Sequence, residues 1–233
     1  MKKFVLIAST LLFTLCSTPT KKSMSVSGKV DGLRKGTLYL QKMVDTLLVT
    51  VDSVAISGDQ AFRLGDDIES PEFYFLSLDK KDGDSLTDKI LFFGSEGEIK
   101  INTLLRTFSS SAKVEGSPEH NLWKEYESMM RKFYNKRLEN FNAFNDKSSG
   151  LSSQELYETL EQKNASLEKR RNLFALNFAM NNSDKAVSAY IGTYEIPNVA
   201  PLFLDSLYNN LTAEVKVSKY GLAFKQQLDS LSR

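Results

Sequence analysis

The sequence predicts an α+β fold, an N-terminal antiparallel β-sandwich followed by an all-α helical region. Two observations predict it. Up to about residue 116, apolar residues alternate in short runs parted by Gly and Asp turns. From Ser117 onward they recur at helical spacing, so the period changes from two to about 3.6. The expected division is a signal peptide over 1–15, a polar tether over 16–23, a β-sandwich over 24–116 and a helical domain over 117–233.

The N-terminal segment stands apart from this fold. Lys2 and Lys3 precede an uncharged run from Phe4 to Leu15 (FVLIASTLLFTL), the build of a secretory signal. The run is too short to span hydrocarbon as a helix, which takes about 20 residues. Cys16, the only cysteine, closes it. A thiol in that place suggests a lipid anchor added after cleavage, although Phe13 and Leu15 occupy positions where lipoproteins usually carry Leu and a small residue. The alternative is plain secretion into the periplasm. Either way the expected location is the periplasm or cell envelope, with any membrane contact through the lipid alone. A single cysteine excludes an intramolecular disulfide and dithiol chemistry.

The alternating runs come in order. Met24, Val26 and Val30 open the set; Thr37–Met43 and Leu47–Val51 follow. Phe62 and Leu64 lie beyond a Ser57-Gly58-Asp59 turn, and Phe73–Leu78 form an aromatic strand after Pro71. Ile90–Phe93 and then Ile99 and Ile101 complete about eight strands. Gly32 to Gly36 (GLRKG) reads as a hairpin turn rather than a phosphate loop, because a strand and not a helix follows.

Ser117 and Pro118 suit the N-cap and first position of a helix. Its apolar stripe runs Leu122, Tyr126, Met129, Met130, Phe133, Leu138 and Phe141. After a break at 145–150, a second helix starts at Ser152 or Ser153 and carries Leu156, Leu160, Leu167, Phe174 and Phe178. A short helix holds Val187, Tyr190 and Ile191. Phe203–Leu211 follow Pro201, and a last helix starts at Ser218 with Leu222, Leu228 and Leu231. These stripes should pack on one another or on the sheet.

Charge and chemistry narrow the function. Removing residues 1–15 takes away two lysines and no acid, turning a formal charge of +1 into −1. Such a chain has no electrostatic footprint for nucleic acid. His120 is the only histidine, and its place in a first helical turn predicts an exposed side chain. No nucleophile–base pair or metal set can be built around it. Asp66-Asp67 and Asp82-Gly83-Asp84 lack the ligand spacing of a calcium loop and read as turns. No cofactor, metal or catalytic residue is expected. Five Asp-Ser/Thr-aliphatic triplets begin at Asp45, Asp52, Asp84, Asp205 and Asp229; they resemble O-glycan acceptors but read more simply as capping or coincidence.

The segment Val26–Leu40 (VSGKVDGLRKGTLYL) resembles the opening of a β-rich family, domain of unknown function 4369. Similarities continue at Asp52–Val54, Gly58–Phe62, Pro71–Leu76, Leu91–Phe93, Gly97–Ile101 and Val114–Ser117, then at Ser188–Tyr190 and Ser218–Gly221. The resemblance implies an envelope context, since this domain commonly precedes a thioredoxin-like domain in thiol–disulfide interchange proteins of Gram-negative bacteria. The sequence holds no Cys-x-x-Cys and reaches Arg233 about where that domain would begin, so its oxidoreductase activity does not carry over.

The expected function is a non-catalytic envelope (lipo)protein that binds or assembles with an envelope protein. The alternative is a small-ligand binder with an aromatic pocket between sheet and helices, lined by residues such as Phe73, Phe75 and Trp123. A hydrolase using two carboxylates is a third reading, which sequence cannot test because it does not pair acids in space.

Overall fold

The computed structural model describes residues 22–80, 88–145 and 152–231. Eight strands come first: β1 (Met24–Asp31), β2 (Lys35–Val44), β3 (Leu47–Ser57), β4 (Ala61–Asp66), β5 (Glu72–Asp79), β6 (Asp88–Gly94), β7 (Gly97–Leu104) and β8 (Lys113–Glu115). They form two four-stranded sheets, ordered β4-β1-β7-β8 and β3-β2-β5-β6. All pairings are antiparallel except β1 with β7, which runs parallel.

Alternation explains the sandwich. Met24, Val26 and Val30 of β1 and Ile99 and Ile101 of β7 turn inward from the first sheet. Leu38 and Leu40 of β2, with Tyr74, Leu76 and Leu78 of β5, meet them from the second. Gly28 sits among the inward residues because a Cβ there would lie 1.8 Å from the Ile101 carbonyl oxygen. The Gly32–Gly36 segment is not a hairpin turn. β1 and β2 belong to different sheets, so this segment carries the chain across the sandwich.

Six helices follow: α1 (Pro118–Asn145), α2 (Ser153–Asn181), α3 (Ala186–Tyr190), α4 (Pro201–Asn210), α5 (Ala213–Val217) and α6 (Lys219–Leu231). One π-helical turn, Ile191–Glu195, continues α3. Ser117 caps α1, accepting the His120 N–H at 3.1 Å. Ser152 and Glu155 form a reciprocal capping box at α2.

A second core joins helices to sheet. Phe73 and Phe93 are cross-strand partners on the outer face of the second sheet. They pack with Trp123 and Tyr126 of α1, Phe178 of α2, Leu204 and Leu207 of α4 and Phe224 of α6. The molecule is therefore layered as sheet, sheet, helices. The last helix buries Tyr220, Gly221, Phe224 and Leu228; Leu222 and Leu231, expected in its stripe, are exposed. The reason is phase, because the face that meets the core is set by Tyr220 and Phe224. On α1, Leu138 and Phe141 are likewise exposed, because they lie on a stretch of α1 with no buried residue.

Candidate functional site

The helices cover only one end of the second sheet's outer face. At the uncovered margin, Phe75 and Leu91 stand beside Phe73 and face α6 and the π-turn across a groove of about 580 Å³. Its far wall carries Tyr190, Tyr194, Tyr220, Leu222 and Ala223, and its floor reaches Met43 near the end of β2 and Asp45 of the β2–β3 turn.

Local structure sets this wall. Tyr190 and Tyr194 are one helical turn apart, with ring centroids 5.0 Å from each other. The π-turn between them closes with Ile196 N–H donating to the Ile191 carbonyl at 3.2 Å. Such turns are uncommon and often mark functional sites. Glu195 holds this one in place: its backbone carbonyl accepts from Arg171 at 3.0 Å and its carboxylate from the Tyr126 hydroxyl at 3.2 Å. Gly192 lets the turn approach α6, since a Cβ would lie 2.6 Å from the Phe224 ring.

The groove has a rigid back. The Phe73 N–H donates to the Tyr220 hydroxyl at 3.0 Å, tying sheet to helix. Trp123 packs edge-on against Phe73 and Tyr190, at 5.1 and 5.4 Å between centroids. Phe73 and Phe75 thus line the groove as expected, while Trp123 lies buried behind it. The three tyrosines were missed, although the spacing of Tyr190 and Tyr194 was a usable signal. Burial pushes the Tyr190 hydroxyl up to about 12, so it remains a neutral donor.

A charged seam closes the groove's neighbour. Lys42 meets Asp66 at 2.8 Å and Glu72 at 3.3 Å, and Glu72 also pairs with Lys219. Tyr74 donates to Asp66 at 2.8 Å. Lys219 further donates to the Met43 carbonyl at 2.6 Å. Two cations balance two carboxylates, which suits a partly buried network. Asp66 is thereby an ion-pair partner, and Asp67 accepts the Ser23 N–H at 3.0 Å. Asp82–Asp84 lie outside the described residues, as does Cys16, so the anchor position has no structural account. Among the described residues no three His, Cys, Asp or Glu side chains form a metal-holding group, and no helix is long and apolar enough to cross a membrane.

His120 is buried, at 6% exposure, not exposed. The first turn of α1 docks on the free edge of β6. There the Phe93 N–H donates to His120 Nδ1 at 3.3 Å and Ser117 Oγ donates to the Phe93 carbonyl at 2.6 Å. Two side chains thus replace a missing strand and block edge pairing. Burial lowers the His120 pKa to about 4, and the neutral ring is the form that accepts.

Glu119 beside it is also buried and faces a cavity of about 400 Å³ that Asp184, Glu214 and Glu69 share. Burial pushes its carboxyl up. Yet both oxygens are engaged, accepting the Ala186 and Val187 N–H groups at 3.0 and 3.1 Å. Asp184 pairs with Lys185 at 2.5 Å and its pKa is lowered by that bond. Glu119 thus caps α3 and Asp184 is held in an ion pair. The glycan-like triplets show similar ties: Asp52 accepts from Ser53 and Gly65 N–H groups at 2.8 and 2.9 Å, and Asp229 pairs with Lys225 at 2.6 Å.

Residues 24–123 match the family model of a domain of unknown function, DUF4369. That stretch is a DUF4369 domain. No curated protein matches the chain, and no solved structure does. The DUF4369 stretch contributes the sandwich, the Ser117–His120 clamp and the sheet wall of the groove. The tyrosine wall lies beyond it, so the groove is completed by the helices that follow the DUF4369 domain.

Proposed function

We propose that this chain is a non-catalytic binding module of the cell envelope whose groove holds a small ligand with a flat apolar face. The observation that supports this is the groove itself, open to solvent and walled by Phe73, Phe75, Tyr190, Tyr194 and Tyr220. Ligand sites favour junctions of this kind between elements. Rings fixed by Trp123, the Tyr220 bond and the π-turn lose little entropy on binding. Tyrosine hydroxyls at the rim offer hydrogen bonds to a ligand's polar edge.

Trp123 is the sole tryptophan and touches two groove rings, so its fluorescence reports on occupancy. Titration with 1-anilinonaphthalene-8-sulfonate should quench Trp123 through energy transfer. Phe75→Ala and Tyr194→Ala should each weaken that binding about tenfold, a loss of roughly 1.4 kcal/mol, with the melting temperature unchanged. Undiminished dye binding in both variants rules the groove out.

Envelope location is part of the same proposal and rests on the signal-like start and Cys16. Intact-mass measurement on native material distinguishes a diacylglyceryl-modified Cys16 from a cleaved, unmodified chain. The link to thiol–disulfide systems remains an implication of the DUF4369 resemblance, because the groove wall contains no cysteine.

A further inference from the structure

The α1–α2 hairpin extends beyond the body as a two-helix arm. Past Tyr126 on α1 and before Leu167 on α2, no described residue is buried. Phe133 packs on Phe174 at 6.1 Å between ring centroids and Asn140 donates to Asn164 at 3.2 Å, which fixes the seam between the helices. Lys136 lies between those two α1 positions, so the antiparallel register brings it level with Arg170.

One side of the seam opens into a crevice of about 370 Å³. Lys136 and Asn140 of α1 and Gln162, Lys163, Ser166 and Arg170 of α2 line it. The lining holds three cations, three neutral hydrogen-bonding side chains and no acid. Helical geometry explains the imbalance. Lys163, Ser166 and Arg170 share a face because they follow one another at three- and four-residue steps. Glu161 and Glu168 each precede a crevice cation by two residues, a rotation of about 200°. They stand on the opposite side of α2.

Most of the donors at the crevice are free. Among the described residues Lys163 has no hydrogen bond or ion pair. Arg170 Nε donates to the Ser166 carbonyl at 3.4 Å, back along its own helix, while its two terminal nitrogens have no acceptor among the described residues. Lys136 is paired with Glu139 at 2.7 Å. Both members of that pair are more than half exposed, and such a contact is worth at most about 1 kcal/mol. It gives way to a stronger acceptor. Three like charges around one crevice repel one another, and an anion between them replaces that repulsion with attraction.

We infer that this crevice is an anion site for a phosphate ester. A phosphate group carries a charge of about −1.5 to −2 at pH 7 and three strong acceptor oxygens. The Arg170 guanidinium offers the forked donors that phosphate takes in pairs, and Lys136 and Lys163 add point charges from either side. A carboxylate has one charge and two oxygens, too few to engage all three cations. The crevice volume lies within the span of small-molecule sites, about 300–1,000 Å³, so it admits an ester substituent beside the phosphate. A soluble ester and a phospholipid headgroup present the same group. This inference is independent of the groove.

Glycerol 3-phosphate, titrated into the isotope-labelled protein with chloride holding ionic strength constant, should shift the Arg170 Nε–H and Ser166 amide resonances to saturation. Glutamine is a good helix former, so Lys163→Gln and Arg170→Gln should leave far-UV circular dichroism unchanged. Each should weaken the affinity about fivefold, and the double variant more than about tenfold. Arg131→Gln removes an equal charge outside the crevice lining and should alter the affinity by less than about twofold. Co-sedimentation with phosphatidylcholine vesicles, with and without phosphatidylglycerol, separates the two sources. Binding to the anionic vesicles alone, lost in the double variant, assigns a lipid headgroup; saturation by glycerol 3-phosphate without vesicle binding assigns a soluble ester. The inference is overturned if neither probe binds in a way that depends on Lys163 and Arg170, or if Arg131→Gln weakens binding as much as they do.

Discussion

The body and the arm treat apolar residues in opposite ways. In the body, alternate positions of both sheets are hidden on a shared core, and Phe73 and Phe93 on the second sheet's outer face are hidden again under helices. In the arm, Tyr134, Leu138 and Tyr157 stand in water beside a seam that is only half covered. Covered residues hold the fold together. Exposed ones at the arm and the groove contribute little to it.

Substitution in the body should show the largest effects. Phe93 is fully buried and joins sheet to helices through rings 4.5 Å from Phe73 and 5.8 Å from Tyr220. Phe93→Ala should cost about 3–5 kcal/mol by urea denaturation, transfer and cavity terms together. A cost under about 1 kcal/mol would mean that sheet and helices do not share a core.

The β6 edge adds a pH dependence. His120 falls from an ordinary 6.5 to about 4 in the fold. Its contribution is therefore complete above pH 6.5 and is lost as pH falls from there toward 4, because only the unfolded chain takes up the proton. The loss amounts to roughly 3 kcal/mol. His120→Asn, a neutral acceptor, should flatten the stability profile across that window; an unaltered slope would place the titration elsewhere.

Glu119 comes next. Glu119→Ala leaves the Ala186 and Val187 N–H groups unpaired in a buried place, at about 2 kcal/mol. Glu119→Gln retains one acceptor and should cost about half. Amide hydrogen exchange at 186 and 187 should accelerate in proportion, which separates a lost cap from general destabilisation.

Strand and helix positions were legible because alternation, helical spacing and the Ser117-Pro118 start are local signals. Partners were not. Periodicity placed Leu138 and Phe141 on a stripe with Phe133, but a stripe does not say whether anything lies against it. His120 looked exposed because a first helical turn usually is, and only the β6 edge, some 27 residues earlier in sequence, buries it. Gly32–Gly36 looked like a hairpin because turn residues mark a change of direction, not which sheet the chain enters. Half of the groove was readable in Phe73 and Phe75; for the tyrosine wall the four-residue spacing of Tyr190 and Tyr194 marks a shared helix face, but not the π-turn that sets it against the sheet.

The smallest expected effect tests the contrast most directly. Leu138→Ala removes an apolar side chain as large as many in the core, from a helix position where alanine is at least as favourable as leucine. Were the arm packed against the body, the change would cost at least about 2 kcal/mol. Because Leu138 is 43% exposed, the cost should stay within about 0.5 kcal/mol. A small loss at Leu138 beside a large one at Phe93 separates a solvent-facing arm from the aromatic core; a loss at Leu138 above about 2 kcal/mol would mean that the arm is covered.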